Sequence, residues 1–346
     1  MSTEEDEGGL GSVHMKEGSS RTTGGVAETK DFEQVTATRP DVKGGINEGD
    51  HLYAGGERIC AGCMPHLAMK LIAKACGPDT IAVTATGCMY VAATSYNNSP
   101  WAVPWVHSNL GNPGSYAAGI ADAYKMMMRK DKVEGDWHEE KINVVAIGGD
   151  GGTGDFGISH AVGATNRETD MLYVMYDNEC WANTNIQATQ SSPYGTRTTT
   201  SPKGTQTFKK DVPMALATGL SASDPYIATA AVSHPEDYIS KMRKGLAHDK
   251  MAFISVLAPC TKGWDIPEQK AVELSRLAVD SGMFPLWEFE DHEFSFTYQP
   301  EERIPIRDFY KMQGRFEHVT EEELEMVQQK VDEKADFLGY PERSNA

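Results

Sequence analysis

An α/β fold, with a mostly parallel sheet and helices on both faces, is what this sequence predicts, and three observations carry the prediction. Short apolar runs alternate with helical patterns from about residue 52 onward. The runs are apolar at successive positions rather than at every second one, the pattern of strands buried on both faces. The stretches between them are long enough to hold the crossover helices that parallel strands need.

Taken in order, residues 1 to about 45 are rich in Gly, Ser, Thr and charge, with apolar spacing of neither strand nor helix type. Such a stretch buries too little surface to offset its ordering entropy, so a flexible N-terminal extension over 1–45 is expected. The body of the chain, 46–283, should hold strands at 81–86, 142–147, 171–176, 226–230 and 253–257. Helical patterns fall between them at 64–75, 113–129, 156–166, 211–219, 235–247 and 267–281. Met126-Met127-Met128 lies within one of these helices and reads as core packing. From 284 the rhythm changes. Segments 285–290 and 294–298 suggest a hairpin across Asp291-His292-Glu293, and the acidic run from Glu321 suggests a terminal helix. Segment 284–346 is expected to be a C-terminal tail for subunit packing.

Charge narrows the function classes. With 32 Lys and Arg against 50 Asp and Glu, the net charge of −18 disfavours nucleic acid and anionic lipid as partners. No run approaches the roughly 18 apolar residues of a membrane span, and the polar start has no signal-peptide core. A cytoplasmic protein is expected. Its 6 cysteines are too few and too unevenly spaced for a disulfide scaffold, which leaves thiols or metal ligands.

Two constellations carry chemistry. The strand at 142–147 runs into Gly148-Gly149-Asp150-Gly151-Gly152, and the next strand ends in Asp177-Asn178. Adjacent strand ends thus offer a carboxylate and an amide oxygen on one side of the sheet, the hard donors that Mg²⁺ takes alongside a substrate's phosphates. Gly149 and Gly151 let backbone approach a diphosphate, and the following helix can aim amides at it. A plain strand-to-helix turn explains GGDGG equally well when it is taken alone. The second constellation is Cys60-Ala61-Gly62-Cys63 with Cys88 and Cys260 further on. Paired thiolates at this separation occur in zinc sites, iron–sulfur sites and redox pairs. Cys88 and Cys260 each close an expected strand, so in a parallel sheet they emerge on the side of Asp150 and Asn178. Cys76 reads as a packed helix thiol.

Gly149-Asp150-Gly151 followed by Asn178 resembles the Mg²⁺–diphosphate signature of thiamine diphosphate enzymes. The resemblance implies Mg²⁺ held by Asp150, Asn178 and the main-chain carbonyl of Cys180, with Glu179 standing where the family usually has a second Asn. Further segments extend it: Cys60 to Cys63, Ala85-Thr86-Gly87-Cys88, Pro104 to Ser108, Tyr176-Asp177-Asn178, Asn183-Thr184, Thr198 to Pro202, Ala258-Pro259-Cys260 and Gly314-Arg315-Phe316. From about 55 to 318 the chain is similar to the β subunits of the multi-subunit 2-oxoacid:ferredoxin oxidoreductases of the pyruvate:ferredoxin oxidoreductase type.

That resemblance implies a thiamine diphosphate-binding fold and a [4Fe-4S] cluster on Cys60, Cys63, Cys88 and Cys260. It also implies Asn183 near the reacting carbon, as a substrate-binding catalytic residue. The activity implied is oxidative decarboxylation of a 2-oxoacid to acyl-coenzyme A and CO₂, with electrons passed to ferredoxin or a similar acceptor. Pyruvate is the default substrate. Asn185 and Ile186 fall where relatives often carry Gly, which leaves room for a bulkier or aromatic oxoacid. Implied partners are an α subunit carrying the pyrimidine-binding domain and the activating Glu, a γ subunit, and a ferredoxin-like δ subunit. Two alternatives stay open at this point. A thiamine-dependent decarboxylase or carboligase would leave the cysteines unused, and a non-catalytic iron–sulfur electron-transfer subunit would leave the diphosphate motif unused.

Overall fold

The computed structural model describes residues 52–55, 57–94, 99–130, 141–167, 169–219 and 224–343, so the expected extension over 1–45 lies outside the described residues. Eight strands form one sheet: β1 (Thr80–Ala85), β2 (Trp105–Ser108), β3 (Asn143–Gly149), β4 (Met171–Asp177), β5 (Tyr226–Ala231), β6 (Met251–Leu257), β7 (Leu286–Glu290) and β8 (Glu293–Tyr298). Their spatial order is β2-β1-β3-β4-β6-β5-β7-β8. The first six in that order are parallel, and β7 and β8 add antiparallel. The chain lays β2 outside β1 and then returns to lay β3 on the other flank of β1. Such a reversal of winding opens a crevice at the carboxyl ends of the strands, where ligands bind in open α/β sheets.

Nine α-helices accompany the strands among the described residues: α1 (Met64–Cys76), α2 (Cys88–Ala93), α3 (Pro113–Arg129), α4 (Ile158–Asn166), α5 (Val212–Gly219), α6 (Pro235–Ala247), α7 (Ala271–Asp280), α8 (Ile306–Tyr310) and α9 (Glu321–Leu338). Helix starts follow local chemistry. α1, α3 and α6 carry Pro in their first turn, where no amide donor is missed. α9 opens with a reciprocal Thr320–Glu323 capping box and closes on left-handed Gly339.

Alternate strand residues enter two separate cores, which is why the strands read as apolar at every position. Ile147, Val174 and Ile254 join Met69 and Ile72 of α1 on one face. Ala146, Tyr173 and Phe253 join Ala117 of α3 and Ala161 of α4 on the other. Phe253 is fully buried, its ring centroid 5.4 Å from that of Tyr173. Phe253→Ala should therefore cost about 3–5 kcal/mol, read as a lower denaturant midpoint at unchanged slope. A loss below about 1 kcal/mol would contradict the place of Phe253 in this core.

Several elements differ from the sequence expectation. β2 is a four-residue edge strand too short to show a period. The helix expected at 156–166 is a π-turn over Gly152–Phe156 followed by α4. The one expected at 267–281 is a 3-10 turn over Glu268–Lys270 followed by α7. The hairpin turn has two residues, Asp291 and His292 at φ of 51° and 61°, and Glu293 already belongs to β8. Met126 and Met127 are exposed rather than packed in the core, because α3 turns that side away from the sheet. Segment 284–346 contributes β7 and β8 to the same sheet as the preceding strands.

Candidate functional site

Because β1, β3, β4 and β6 run parallel, their carboxyl ends deliver Cys88, Asp150, Asn178 and Cys260 to one edge of the sheet. A cavity of about 120 Å³ opens there. Gly87 and Cys88, Gly149 to Gly152, Asn178 and Cys180 to Thr184 line it, with Tyr176 among them. Cys88 begins α2 rather than closing a strand, so the short helix presents its thiol at the crevice. Asn183 is exposed at the mouth.

Asp150 is the electrostatic centre of the cavity. Its side chain is buried, and the Thr189 hydroxyl donates to Oδ2 at 2.6 Å. Gln190 Nε2 donates to the Asp150 carbonyl at 3.3 Å. Burial, and then the neighbouring Asp177 and Glu179 carboxylates, hold the Asp150 carboxyl well above the usual carboxylate range. Asp177 is pushed up to about 6, chiefly by burial. Glu179 is otherwise provided for: Arg315 donates to Oε2 at 2.6 Å, and Lys209 Nζ stands 3.3 Å from Oε1. Among the described residues, a hydroxyl and not a cationic side chain meets the Asp150 carboxylate. A buried carboxylate beside two others, without a cation of its own, suits a divalent metal ion.

The β4 exit supplies the other oxygens. Asn178 Oδ1 accepts from the Cys180 amide at 3.2 Å, and the Cys180 carbonyl accepts from Ala182 N at 2.9 Å, each oxygen keeping a second lone pair. Carboxylate, amide and main-chain carbonyl make the hard donor set that Mg²⁺ prefers. At Gly151 the need for glycine is steric: a Cβ there would stand 2.4 Å from the Trp181 ring. Asn185 and Ile186 hold φ of 85° and 62°, so the loop beyond Asn183 keeps a backbone shape that glycine adopts freely and a β-branched residue adopts under strain.

The thiols gather beside this cavity. Thr261 donates to the Ala61 carbonyl at 3.1 Å, tying the Cys60–Cys63 turn to the loop after Cys260. Gly62, at φ 67°, has room for no Cβ, since one would meet Glu268 at 2.8 Å. Cys60, Cys63, Cys88 and Cys260 are near enough to shift one another electrostatically. Burial pushes both Cys63 and Cys88 up to about 12. Cys260 is instead held down to about 6, first by a hydrogen bond from the Cys180 thiol and also by the Gly263 amide, whose N lies 3.2 Å from Sγ. Among the described residues, no three His, Cys, Asp or Glu side chains close on a single metal ion. Four convergent but separated thiols suit a larger, soft polynuclear group instead. Cys76 is buried at the end of α1, away from this set.

A clamp that the sequence did not reveal joins the two halves. Trp264 Nε1 donates to the Asn178 carbonyl at 2.9 Å, and the Arg315 guanidinium lies over the Trp264 ring at 4.1 Å while binding Glu179. Thr189, Gln190 and Trp264 reach the site from loops without periodicity. Arg315 stood in a family segment, but spacing gave no hint of its partner.

Asp150 also makes a pH test available. An unfolded carboxyl titrates near 3.8 and the buried one higher, so the stability it contributes is fully present below 3.8 and is lost as pH rises through the folded value. In Mg²⁺-free buffer, Asp150→Asn should gain thermal stability relative to wild type as pH rises from about 4 to 7. A difference in midpoint that stays constant with pH would contradict the buried, cation-free carboxylate.

Known proteins resemble this chain over most of its length. Residues 85–256 match the family model of the thiamine pyrophosphate enzymes' C-terminal TPP binding domain. The chain is 45% identical over 292 residues to pyruvate synthase subunit PorB of Methanocaldococcus jannaschii, covering 84% of this chain and 97% of that protein. It is 37% identical to the ketoisovalerate oxidoreductase subunit VorB of Pyrococcus furiosus, covering 84% and 92%. Among solved structures, a 2-oxoglutarate:ferredoxin oxidoreductase from Magnetococcus marinus shares the fold at a TM-score of 0.50 and 18% identity, over 66% of this chain and 79% of that one. No helix among the described residues is long and apolar enough to cross a membrane. With this family model and these relatives together, the chain belongs to the PorB family of subunits of the thiamine diphosphate-dependent 2-oxoacid oxidoreductases, enzymes assembled from several chains.

Proposed function

We propose that this chain is the thiamine diphosphate-binding β subunit of a cytoplasmic pyruvate:ferredoxin oxidoreductase, using Mg²⁺ and one [4Fe-4S] cluster. The observation that carries the proposal is the shared crevice: a buried carboxylate lacking a cation at the end of β3, beside thiols from the ends of β1 and β6. When bound, thiamine diphosphate supplies the carbanion chemistry for decarboxylating a 2-oxoacid, and the cluster accepts electrons singly.

The chain's own residues hold and orient. Asp150, Asn178 and the Cys180 carbonyl would anchor Mg²⁺ and through it the diphosphate. Thr189 fixes the Asp150 carboxylate by its hydrogen bond to Oδ2. Cys60, Cys63, Cys88 and Cys260 would ligate the cluster. Asn183, exposed at the mouth, would hydrogen-bond the oxoacid. Pyruvate is the proposed substrate on the strength of the PorB relatives. The VorB relative makes a branched 2-oxoacid the case to exclude, with coenzyme A as acyl acceptor.

The activating Glu is assigned to the α subunit, with γ and ferredoxin-like δ chains completing the assembly and the surface of 284–346 as a packing face. A split site has a direct test. The full chain alone, supplied with iron, sulfide, thiamine diphosphate and Mg²⁺, should show no pyruvate-dependent dye reduction, and adding the remaining subunits should restore it. Robust turnover by the isolated chain would overturn the split.

A further inference from the structure

His107, near the end of β2, has a ring that is exposed and yet fixed. The ends of β1 and β2 build two like rungs beside the cavity. Trp105 Nε1 donates to Thr84 Oγ1 at 2.7 Å, and two residues further along each segment, on the same face, His107 Nε2 lies 2.8 Å from Thr86 Oγ1. Tyr90 flanks both rings, its centroid 5.9 Å from that of Trp105 and 3.6 Å from that of His107, which it stacks on at 12°. An exposed side chain held at one edge and one face has lost rotamer freedom while burying little surface, which marks it for positioning rather than packing.

Thr86, which the ring reaches, is part of the cavity wall. Its hydroxyl has one proton and two lone pairs. The Ser108 carbonyl lies 3.4 Å from Thr86 Oγ1, well beyond the roughly 2.8 Å usual for O–H···O, so it holds that proton weakly. In the Trp105 rung the indole nitrogen can only donate. With the same direction in the next rung, His107 Nε2–H fills one lone pair of Thr86 and leaves the hydroxyl proton to an acceptor in the cavity. Among the described residues, the lining holds no Lys, Arg or His, so an acid entering there meets neutral donors.

We propose that His107 is a positioning residue, which donates to Thr86 and so aims the Thr86 hydroxyl proton at the carboxylate of the 2-oxoacid. The inference rests on the oxidoreductase function proposed above and deepens it. A neutral donor suits the reaction, because the carboxylate loses its charge as CO₂ leaves. An ion pair would hold the bound acid more tightly than the transition state and slow that loss, whereas a single hydroxyl binds the acid with little such penalty. Thr86 touches the substrate, and His107 sets which way its proton points.

The test uses the complete complex, assembled from this chain and the remaining subunits, with KM and kcat for pyruvate read at saturating coenzyme A. His107→Phe keeps a ring for Tyr90 to stack on and removes the donor. Its KM for pyruvate should rise about two- to tenfold, the worth of one hydrogen bond, with kcat within about twofold of wild type. His107→Gln loses the ring but keeps an amide donor, and should bring KM back to within about twofold of wild type, which separates donation from packing. An unchanged KM in His107→Phe, a Gln variant no better than Phe, or a rise in the KM for coenzyme A in place of that for pyruvate would overturn the inference and leave the proposed function standing. Should His107→Phe fail to assemble, nitrogen-15 spectra of the histidine-labelled full chain decide: the His107 signal, assigned by its loss in His107→Gln, should show Nε2 protonated, and a bare Nε2 would overturn the inference. A wild-type complex without pyruvate-dependent dye reduction would overturn the proposed function, and the inference with it.

Discussion

Asp150→Ala should abolish thiamine diphosphate binding while the protein stays folded. The substitution deletes the one charged oxygen ligand proposed for Mg²⁺, and neither Asn178 nor a main-chain carbonyl supplies a compensating charge. Removing an outer partner of a metal ligand commonly lowers metal affinity about 10–100-fold, so Thr189→Ala should fall in that range and Asp150→Ala well beyond it. The fold should survive because Asp150 is a buried carboxylate pressed by Asp177 and Glu179, and deleting it relieves repulsion. Calorimetric titration with Mg²⁺ and thiamine diphosphate, alongside far-ultraviolet circular dichroism, separates the two effects. Full thiamine content in the purified variant would show that the motif was misassigned.

Cys260→Ser should perturb or remove the cluster, although Cys260 lies far along the chain from Cys60, Cys63 and Cys88. The sheet closes that separation, since β6 ends beside β4 on the edge that also carries Cys88 and Asp150. A hydroxyl is a harder and less acidic ligand than the thiolate that Cys260 favours at about 6. Iron content should drop, or the reduced-state paramagnetic resonance spectrum should change shape. Cys76→Ser, buried at the end of α1 away from the other thiols, is the control and should keep its iron. An unchanged spectrum in Cys260→Ser would remove Cys260 from the ligand set.

The central strands were legible because burial on both faces forces apolar side chains at successive positions, and β3, β4, β5 and β6 end within a few residues of the runs that announced them. Short or irregular elements were not. β2 has four residues, α2 has six, and the π-turn after Asp150 has no spacing signature of its own. Asp150 and Asn178 could be found because strand ends are where a parallel sheet collects functional groups. Thr189, Trp264 and Arg315 could not, because their partners are fixed by how distant loops pack. Glu179 shows the difference plainly. In the sequence it is a departure from a family pair, whereas in the fold it is buried at φ 60° with Arg315 and Lys209 on its two oxygens.

The measurement that bears most directly on the shared crevice is a joint cofactor analysis of the full chain. The protein would be reconstituted anaerobically with iron and sulfide, titrated with Mg²⁺ and thiamine diphosphate, and its iron resolved by Mössbauer spectroscopy. Expected are one [4Fe-4S] cluster and one thiamine diphosphate on the same chain, with thiamine lost in Asp150→Ala and the cluster retained. Thiamine binding without iron, or iron without thiamine, would contradict the claim that both cofactors share this edge of the sheet.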